Sequence, residues 1–168
     1  LVQRVRTVGY VDFDHERETT VTVKFDGYVE HVHVHLVGQH VQRGTPLFDV
    51  YSPELVQTQQ DLLAAVELAR RLEGSEDVAP DARRRADEMA AAARERLRLW
   101  DISAEQVARI EREGKASRLL TVKAPASGVI LSQSVFQGDP IVPLTNYQPG
   151  TELCTLADME SLRFKGTV

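Results

Sequence analysis

Cysteine is almost missing: Cys154 is the one thiol in 168 residues. An intramolecular disulfide is excluded, and so is a CxxC metal knuckle. With Leu153 and Leu156 beside it, the thiol is expected to be buried and inert. No apolar run nears the ~18 residues that cross a bilayer. No leader of the basic-then-apolar kind is visible. The chain opens on Leu1 rather than Met, which reads as a processed or excised piece with any membrane anchor outside it. Methionine is scarce, with only Met89 and Met159, and they fall on different elements. Basic charge is in deficit: 20 Lys and Arg stand against 25 Asp and Glu, a formal net charge of −5. No nucleic acid is therefore expected as a partner. No serine sits in a nucleophile elbow and no glycine-rich loop opens a helix. Nothing nominates a nucleophile and its base, so the chain reads as non-enzymatic and without a cofactor. What is present is a hydrophobic content of 42%, ordinary for a folded chain and too high for a disordered one.

The chain changes character twice. From Val2 to about Val50, valine, threonine and aromatics alternate with polar residues, as in "TTVTVKF" and "HVHVHLV", and the period is that of strands. At Tyr51 the period switches. Ser52 and Pro53 supply an N-cap and a first helical residue. Leu55, Gln59, Leu62, Val66 and Ala69 then form one stripe, and Gly74 is the expected C-cap. After the turn "GSEDVAPD", a second helix starts near Pro80, with Ala82, Ala86, Met89, Ala93, Leu97 and Trp100 as its stripe. Two helices of ~20 residues and ~30 Å joined by a short loop predict an antiparallel hairpin. A short third helix opens on a capping box, Ser103 with Gln106, and stops at Gly114.

After Leu119 the strand pattern returns, and it repeats what came before the helices. "VKFDGYV" at 23–29 matches "VKAPASGV" at 122–129. Each copy goes on to a short apolar strand, a glycine (Gly38; Gly138), a second glycine (Gly44; Gly150) and a strand opened by Leu47 or Leu153. This is a degenerate repeat of about 30 residues, with "DPIVPLTNYQ" inserted in the late copy. Each half reads as a short sheet with one apolar face, which it can bury only against the other half. The expected fold is α+β: a small β-sandwich built from two sequence-distant halves and split by a helical hairpin.

The spacing of Gly27, Val29, Gly38, Val41, Gly44 and Leu47 resembles that of biotinyl and lipoyl domains, and "APASGVI" at 124–130 is similar to the opening of such a half. Two such halves split by a helical hairpin resemble the periplasmic adaptor, or membrane fusion, family (HlyD-like). "DGYVEHVHVHLVGQHVQRGTPLFDVYSPELVQTQQDLL" and "RLRLWDISAEQVARIEREG" look like adaptors of heavy-metal efflux pumps of the RND type. "DPIVPLTNYQPGTELCTLADMESLRFKGTV" is more similar to adaptors of ABC exporters. The resemblance implies a barrel-sandwich hybrid and a subunit that links an inner-membrane RND or ABC transporter to an outer-membrane channel. It also implies several copies side by side, in the periplasm and attached to the inner membrane. A β-barrel domain and a membrane-proximal domain follow in that family. The implied segments are 1–20 as a stub of the adjoining β-barrel, 21–50 as the first lipoyl-like half, and 51–119 as the hairpin with its third helix. Residues 120–161 form the second half, and 162–168 begin the barrel. Part of the family carries a hairpin-tip motif of Arg, Leu four residues on, then Ser on the returning helix. Here Arg70 and Arg71 are followed at four by Gly74 and Ser75. The candidates for partner contact near the tip are Arg70, Arg71, Arg83 and Arg84; Arg85 completes a basic triplet, in a stretch whose mixed charges read as a solvated face.

One motif stands apart. His31, His33 and His35 alternate with valine, and so share one face of a strand. Neighbours two apart are ~6.6 Å apart along the strand, so two imidazoles could meet on one zinc at about 2.1 Å, whereas the outer pair at ~13 Å could not. Further ligands would come from His40, or from His15 with Asp12, Asp14 and Glu16. The plain reading sets Val32 and Val34 towards the core and the three histidines towards water. They remain the metal candidates of the chain, and imidazole is the side chain that gains charge in mild acid. A periplasmic metal-binding protein is thus one alternative function. A biotinyl or lipoyl carrier is another, although Lys24 and Lys123 lie on strands rather than at the junction of the halves, where a carrier presents its lysine.

Overall fold

The structure is a computed structural model that describes residues 8–13, 18–34, 37–73, 80–158 and 162–167; the strands at 8–13 and 162–167 are described by their backbone alone. The first half of the repeat supplies β2 (Glu18–Thr22), β3 (Gly27–Val32), β4 (His40–Val41) and β5 (Pro46–Tyr51). Three helices follow: α1 (Pro53–Glu73), α2 (Pro80–Leu99) and α3 (Ala104–Glu113). The second half supplies β6 (Leu119–Lys123), β7 (Gly128–Gln133), β8 (Pro140–Ile141) and β9 (Glu152–Ala157). Outside both, β1 (Val8–Phe13) and β10 (Leu162–Thr167) pair antiparallel as a separate two-stranded ladder. The first sandwich strand begins at Glu18, before residue 21.

The two halves do not form one sheet each, as the repeat alone suggests. One antiparallel sheet has the order β2-β9-β7-β4 and the other β6-β5-β3-β8. Each half gives the two central strands of one sheet and lends its remaining two as edges to the other. The physical reason is that a strand pair with two open edges satisfies its backbone groups only by acquiring neighbours, and here the neighbours come from the other half. The exchange obeys a pseudo-twofold. Gly38 N–H donates to Ile130 C=O at 2.8 Å, and Gly138 N–H donates to Val29 C=O at 2.7 Å. Ile130 N–H returns a bond to Gln39 C=O and Val29 N–H one to Asp139 C=O. Register shifts fall at Val29/His31 in one half and at Ile130/Ser132 in the other. Gly38 and Gly138 share a left-handed φ of 90° and 93°. The pairing of Gly44 with Gly150 fails. Gly44 has φ 89°, whereas Gly150 has no positive φ and packs its Cα against the Leu144 backbone. The segment from Ile141 to Leu153 is longer than that from Val41 to Leu47, so the chain reaches the last strand by a different turn.

The strand period delivers the core. Val21, Val23, Phe25 and Val29 are buried, while Thr22, Lys24, Asp26 and Tyr28 between them are exposed. Leu47, Phe48, Val50, Ile130, Ile141, Leu153 and Leu156 complete a dry interior, and truncating one of its large members would cost about 2–5 kcal/mol. Cys154 lies in this core, 1% exposed.

Ser52 caps α1 as expected: its hydroxyl accepts from Leu55 N–H at 3.2 Å. Leu55, Thr58, Gln59, Leu62 and Ala65 are buried, while Val66 and Ala69 are half-buried. On α2 the buried stripe is Ala86, Ala90, Ala93 and Leu97. Met89 is not part of it, being 60% exposed. Ala86, Ala90, Ala93 and Leu97 follow one another at four, three and four, and Met89 falls one residue off that line, turned about 100° away. Both ends of the capping box form at Ser103 and Gln106, and Gly114 ends α3 with φ 64°. The expected cap at Gly74 and the turn after it lie outside the described residues.

Gly27 and Gly128 are equivalent in the repeat and equally constrained. A Cβ on Gly27 would sit 2.3 Å from the Tyr51 carbonyl oxygen, and one on Gly128 2.4 Å from that of Ala157. Each Gly→Ala change should therefore destabilise the chain by about 2–3 kcal/mol in urea unfolding. At Gly38, where nothing lies near a Cβ, alanine should cost only about 1 kcal/mol, for its backbone. A second expectation concerns the thiol. Burial pushes Cys154 up from its ordinary 9.0 to about 11. A raised value means that the fold favours the protonated form. That contribution is whole below pH 9 and is lost as pH rises through 11. The wild-type urea midpoint should fall more steeply than that of Cys154→Ala between these limits, and Ellman's reagent should label the thiol at pH 8 only after unfolding.

Candidate functional site: the hairpin, its base and the histidine strand

α1 and α2 bury their stripes against each other, with Leu55, Leu62, Ala65, Ala90, Ala93 and Leu97 in one cluster. Leu55, near the start of α1, meets Leu97, near the end of α2, so the helices run antiparallel. α3 closes the base through Val107. Trp100 and Leu120 pack against both this cluster and the sandwich core. The Trp100 ring lies edge-on to Phe25, with centroids 6.2 Å apart and planes at 62°, a favoured aromatic geometry.

Polar contacts brace the same joint. Gln59 is 2% exposed. Its amide donates to Leu55 C=O at 3.2 Å and Ser117 C=O at 3.1 Å, and its oxygen accepts from Ser117 N–H at 2.8 Å. One side chain of α1 thus grips both backbone groups of the residue that leads into β6. Lys24 Nζ lies 2.9 Å from Asp101 Oδ1, tying the sandwich to the turn after α2. Asp101 itself has φ 62°. Arg94 pairs with Glu111 at 2.6 Å, joining α2 to α3. Arg118 reaches Glu30 at 2.8 Å and stacks its guanidinium 5.1 Å from the Tyr51 ring centroid. The exposed pairs add little each; the buried amide and the shared tryptophan hold the hairpin to its base.

The arginines near the far end divide. Arg83 crosses to Glu73 on the other helix at 2.8 Å. Arg71 pairs within α1 with Glu67, and Arg84 within α2 with Asp81 and Glu88. Arg70 is exposed. The turn between the two helices, including Gly74 and Ser75, lies outside the described residues.

The histidines also divide. His31 is exposed and is the cross-strand partner of Asp49. His33 Nε2 lies 2.9 Å from Asp49 Oδ2, and Asp49 Oδ1 accepts from the Thr121 hydroxyl at 2.7 Å. The His33 imidazole is thus partnered by a carboxylate on β5. Val34 is buried, and Val32 packs on the core from a half-buried position. His40 is exposed on β4. His35, His15, Asp14 and Glu16 lie outside the described residues, as does the Asp12 side chain. Among the described residues, no group of three or more His, Cys, Asp or Glu is placed to hold one ion. Lys123 ends β6 as expected, whereas Lys24 lies in the bend between β2 and β3 rather than on a strand, and the junction between halves that a carrier lysine would occupy is filled by α1–α3.

This geometry agrees with what is known of other proteins. The model of the family described as "CusB, barrel-sandwich hybrid domain" matches residues 18–153. This chain belongs to that family. SilB of Salmonella typhimurium, described as a membrane fusion protein, is 30% identical over 120 residues, covering 71% of this chain and 24% of SilB. CusB of Escherichia coli (strain K12), described as a cation efflux system protein, is 28% identical over 120 residues, covering 71% of this chain and 26% of CusB. The chain thus spans about a quarter of the length of these curated relatives. ZneB from Cupriavidus metallidurans superposes with a TM-score of 0.51 at 19% identity, over 95% of this chain and 70% of ZneB. A MacA–MexA chimera carrying the Pseudomonas aeruginosa MexA α-hairpin domain gives 0.53 at 18%, over 95% of this chain and 53% of the chimera. At these identities the solved structures speak for the fold. The barrel-sandwich hybrid of the family is the exchanged sandwich described above.

Sequence reasoning missed the joint. Gln59 was on the predicted stripe, but a glutamine among leucines gives no sign of a partner at Ser117. The cue was its place: a polar residue inside an apolar stripe has to bond something. Replacing Gln59 by Leu removes all three bonds and leaves Ser117 N–H without its acceptor, so about 2–3 kcal/mol should be lost in chemical denaturation. Thr58, one residue earlier, is the contrast. Its hydroxyl is buried with no partner among the described residues, so Thr58→Val should hold or raise stability by up to about 1 kcal/mol.

Proposed function

We propose that the chain is the sandwich-and-hairpin part of a periplasmic adaptor that links an inner-membrane transporter, of RND or ABC type, to an outer-membrane channel. The observation that carries this reading is the split itself. A sandwich whose halves are exchanged across a helical hairpin holds that hairpin out from one rigid base, which suits a spacer. The family supports the reading, since SilB is described as a membrane fusion protein and CusB as a cation efflux system protein. The chain is read as non-catalytic and without a cofactor. Its one thiol is buried, and its best-placed histidine is engaged by Asp49. In this reading the full-length protein works in the periplasm, held at the inner membrane, with several copies side by side. No helix among the described residues is long and apolar enough to cross a membrane.

The segments follow from the same reading. The lipoyl-like halves run from Glu18 to Tyr51 and from Leu119 to Ala157, the hairpin with its third helix lies between them, and the β1–β10 ladder opens an adjoining β-barrel domain. Arg70, Arg71, Arg83 and Arg84 are the proposed channel-side contacts.

Affinity capture of the full-length protein with a candidate RND pump, an ABC exporter and a channel tests this. One transporter should co-purify, and the channel with it. Arg70→Glu with Arg84→Glu should reduce channel capture several-fold while leaving transporter capture unchanged. Capture of no transporter of either class would end the adaptor reading, and equal loss of both partners would end the assignment of the arginines.

A further inference from the structure

The sandwich has four sheet edges. Two of them, β4 and β8, are only two residues long. The other two, β2 and β6, are five residues long, and among the described residues each pairs on one side only. Long open edges are usually blunted by charge, by proline or by a covering segment. Neither strand contains proline, and neither Thr19–Thr22 nor Leu119–Val122 carries a charge. On β6, Leu120 and Val122 pack against the core from half-buried positions, and Leu119 and Thr121, which alternate with them, are half-buried too.

Both edges line one cleft of about 540 Å³, closed by the Trp100–Ser103 turn. The charge of this cleft is opposite to that of the whole chain. Lys24, Arg43 and Lys123 line it against a single carboxylate, Asp101, which Lys24 already engages. Arg43 and Lys123 are exposed and have no side-chain ion pair among the described residues. They sit at the same end of β6, since Gly44 N–H bonds Ala124 C=O and Lys123 is the cross-strand partner of Pro46. On a chain of net charge −5, two free cations at the end of an open strand select for carboxylates.

We propose that this cleft receives an extended acidic segment of a partner protein, which adds to β6 as a further strand. Main-chain hydrogen bonds to the open edge supply affinity, and carboxylates set against Arg43 and Lys123 supply direction. This goes beyond the adaptor reading and does not depend on it.

The probe is a peptide of alternating threonine and glutamate, about eight residues long, enough to span β6 at ~3.4 Å per residue. It is titrated into the whole chain and followed by amide NMR and fluorescence anisotropy. Saturable binding should move the amides of Leu119–Lys123 first. A lysine-for-glutamate peptide should bind at least about tenfold more weakly, and so should a peptide N-methylated at alternate amides. Arg43→Glu with Lys123→Glu, both exposed positions, should reverse the charge preference while the amide spectrum stays folded. Four results would overturn the proposal. These are no saturable binding up to millimolar peptide, shifts that map away from β6, and equal binding of the lysine or N-methylated peptide. The fourth is a homodimer whose dissociation moves the β6 amides, which would name a second copy as the occupant.

Discussion

Neither half of this sandwich is a structure without the other. β3 and β5 have edges that only β8 and β6 fill, and β7 and β9 have edges that only β4 and β2 fill. The apolar faces of both pairs then meet in one core of Val21, Phe25, Phe48, Ile130 and Leu156. Backbone satisfaction and apolar burial therefore arrive together, and only when residues before Tyr51 find residues after Ser117. Local pairing of β3 with β5 would leave both demands half met.

The joint of the hairpin inherits this dependence. Gln59 grips Ser117, which leads into β6, and β6 is an edge strand of the first half's sheet. Trp100 and Leu120 belong to both cores at once. The hairpin is thus a second layer built on a strand that is itself on loan. If the exchange loosens, the orientation of the helices loosens with it. One buried amide and one indole set that orientation, as the proposed spacer role requires.

Much of this fold could be read before any coordinates. The repeat showed because glycine at a left-handed φ leaves few substitutes, as at Gly38 and Gly138, and because alternation marks faces. The helix caps showed because Ser52, Ser103 and Gly114 have specific local work. The exchange of edges did not show, since hydrophobic period tells which face of a strand is buried and nothing of which neighbour stands beside it. Met89 was assigned to the wrong line of α2 because an apolar residue on an alanine-rich helix looks as if it should be inside. Of the candidate sites, His31 on β3 and His33 just past its end are both exposed as read, but the engagement of His33 by Asp49 depended on the pairing of β3 with β5. Alternation alone could not supply that pairing.

The insertion of three helices between two halves that must meet looks costly, and the geometry shows why it is tolerable. Closing a loop costs entropy that grows only with the logarithm of its length, about 0.6 kcal/mol for each doubling. The hairpin removes much of even that cost, because it folds through local contacts and brings its own ends together. Leu55 and Leu97 share one buried cluster, and Gln59 holds Ser117 a few residues before β6. To the sandwich, the segment from Tyr51 to Leu119 then behaves as a short connection, with those two residues already cross-strand partners. The same reasoning says that the far end of the hairpin is free to change. Among the described residues, nothing beyond the Gln59–Trp100 level packs on the sandwich core, so length and sequence further along the hairpin can vary without disturbing the exchange on which the fold rests.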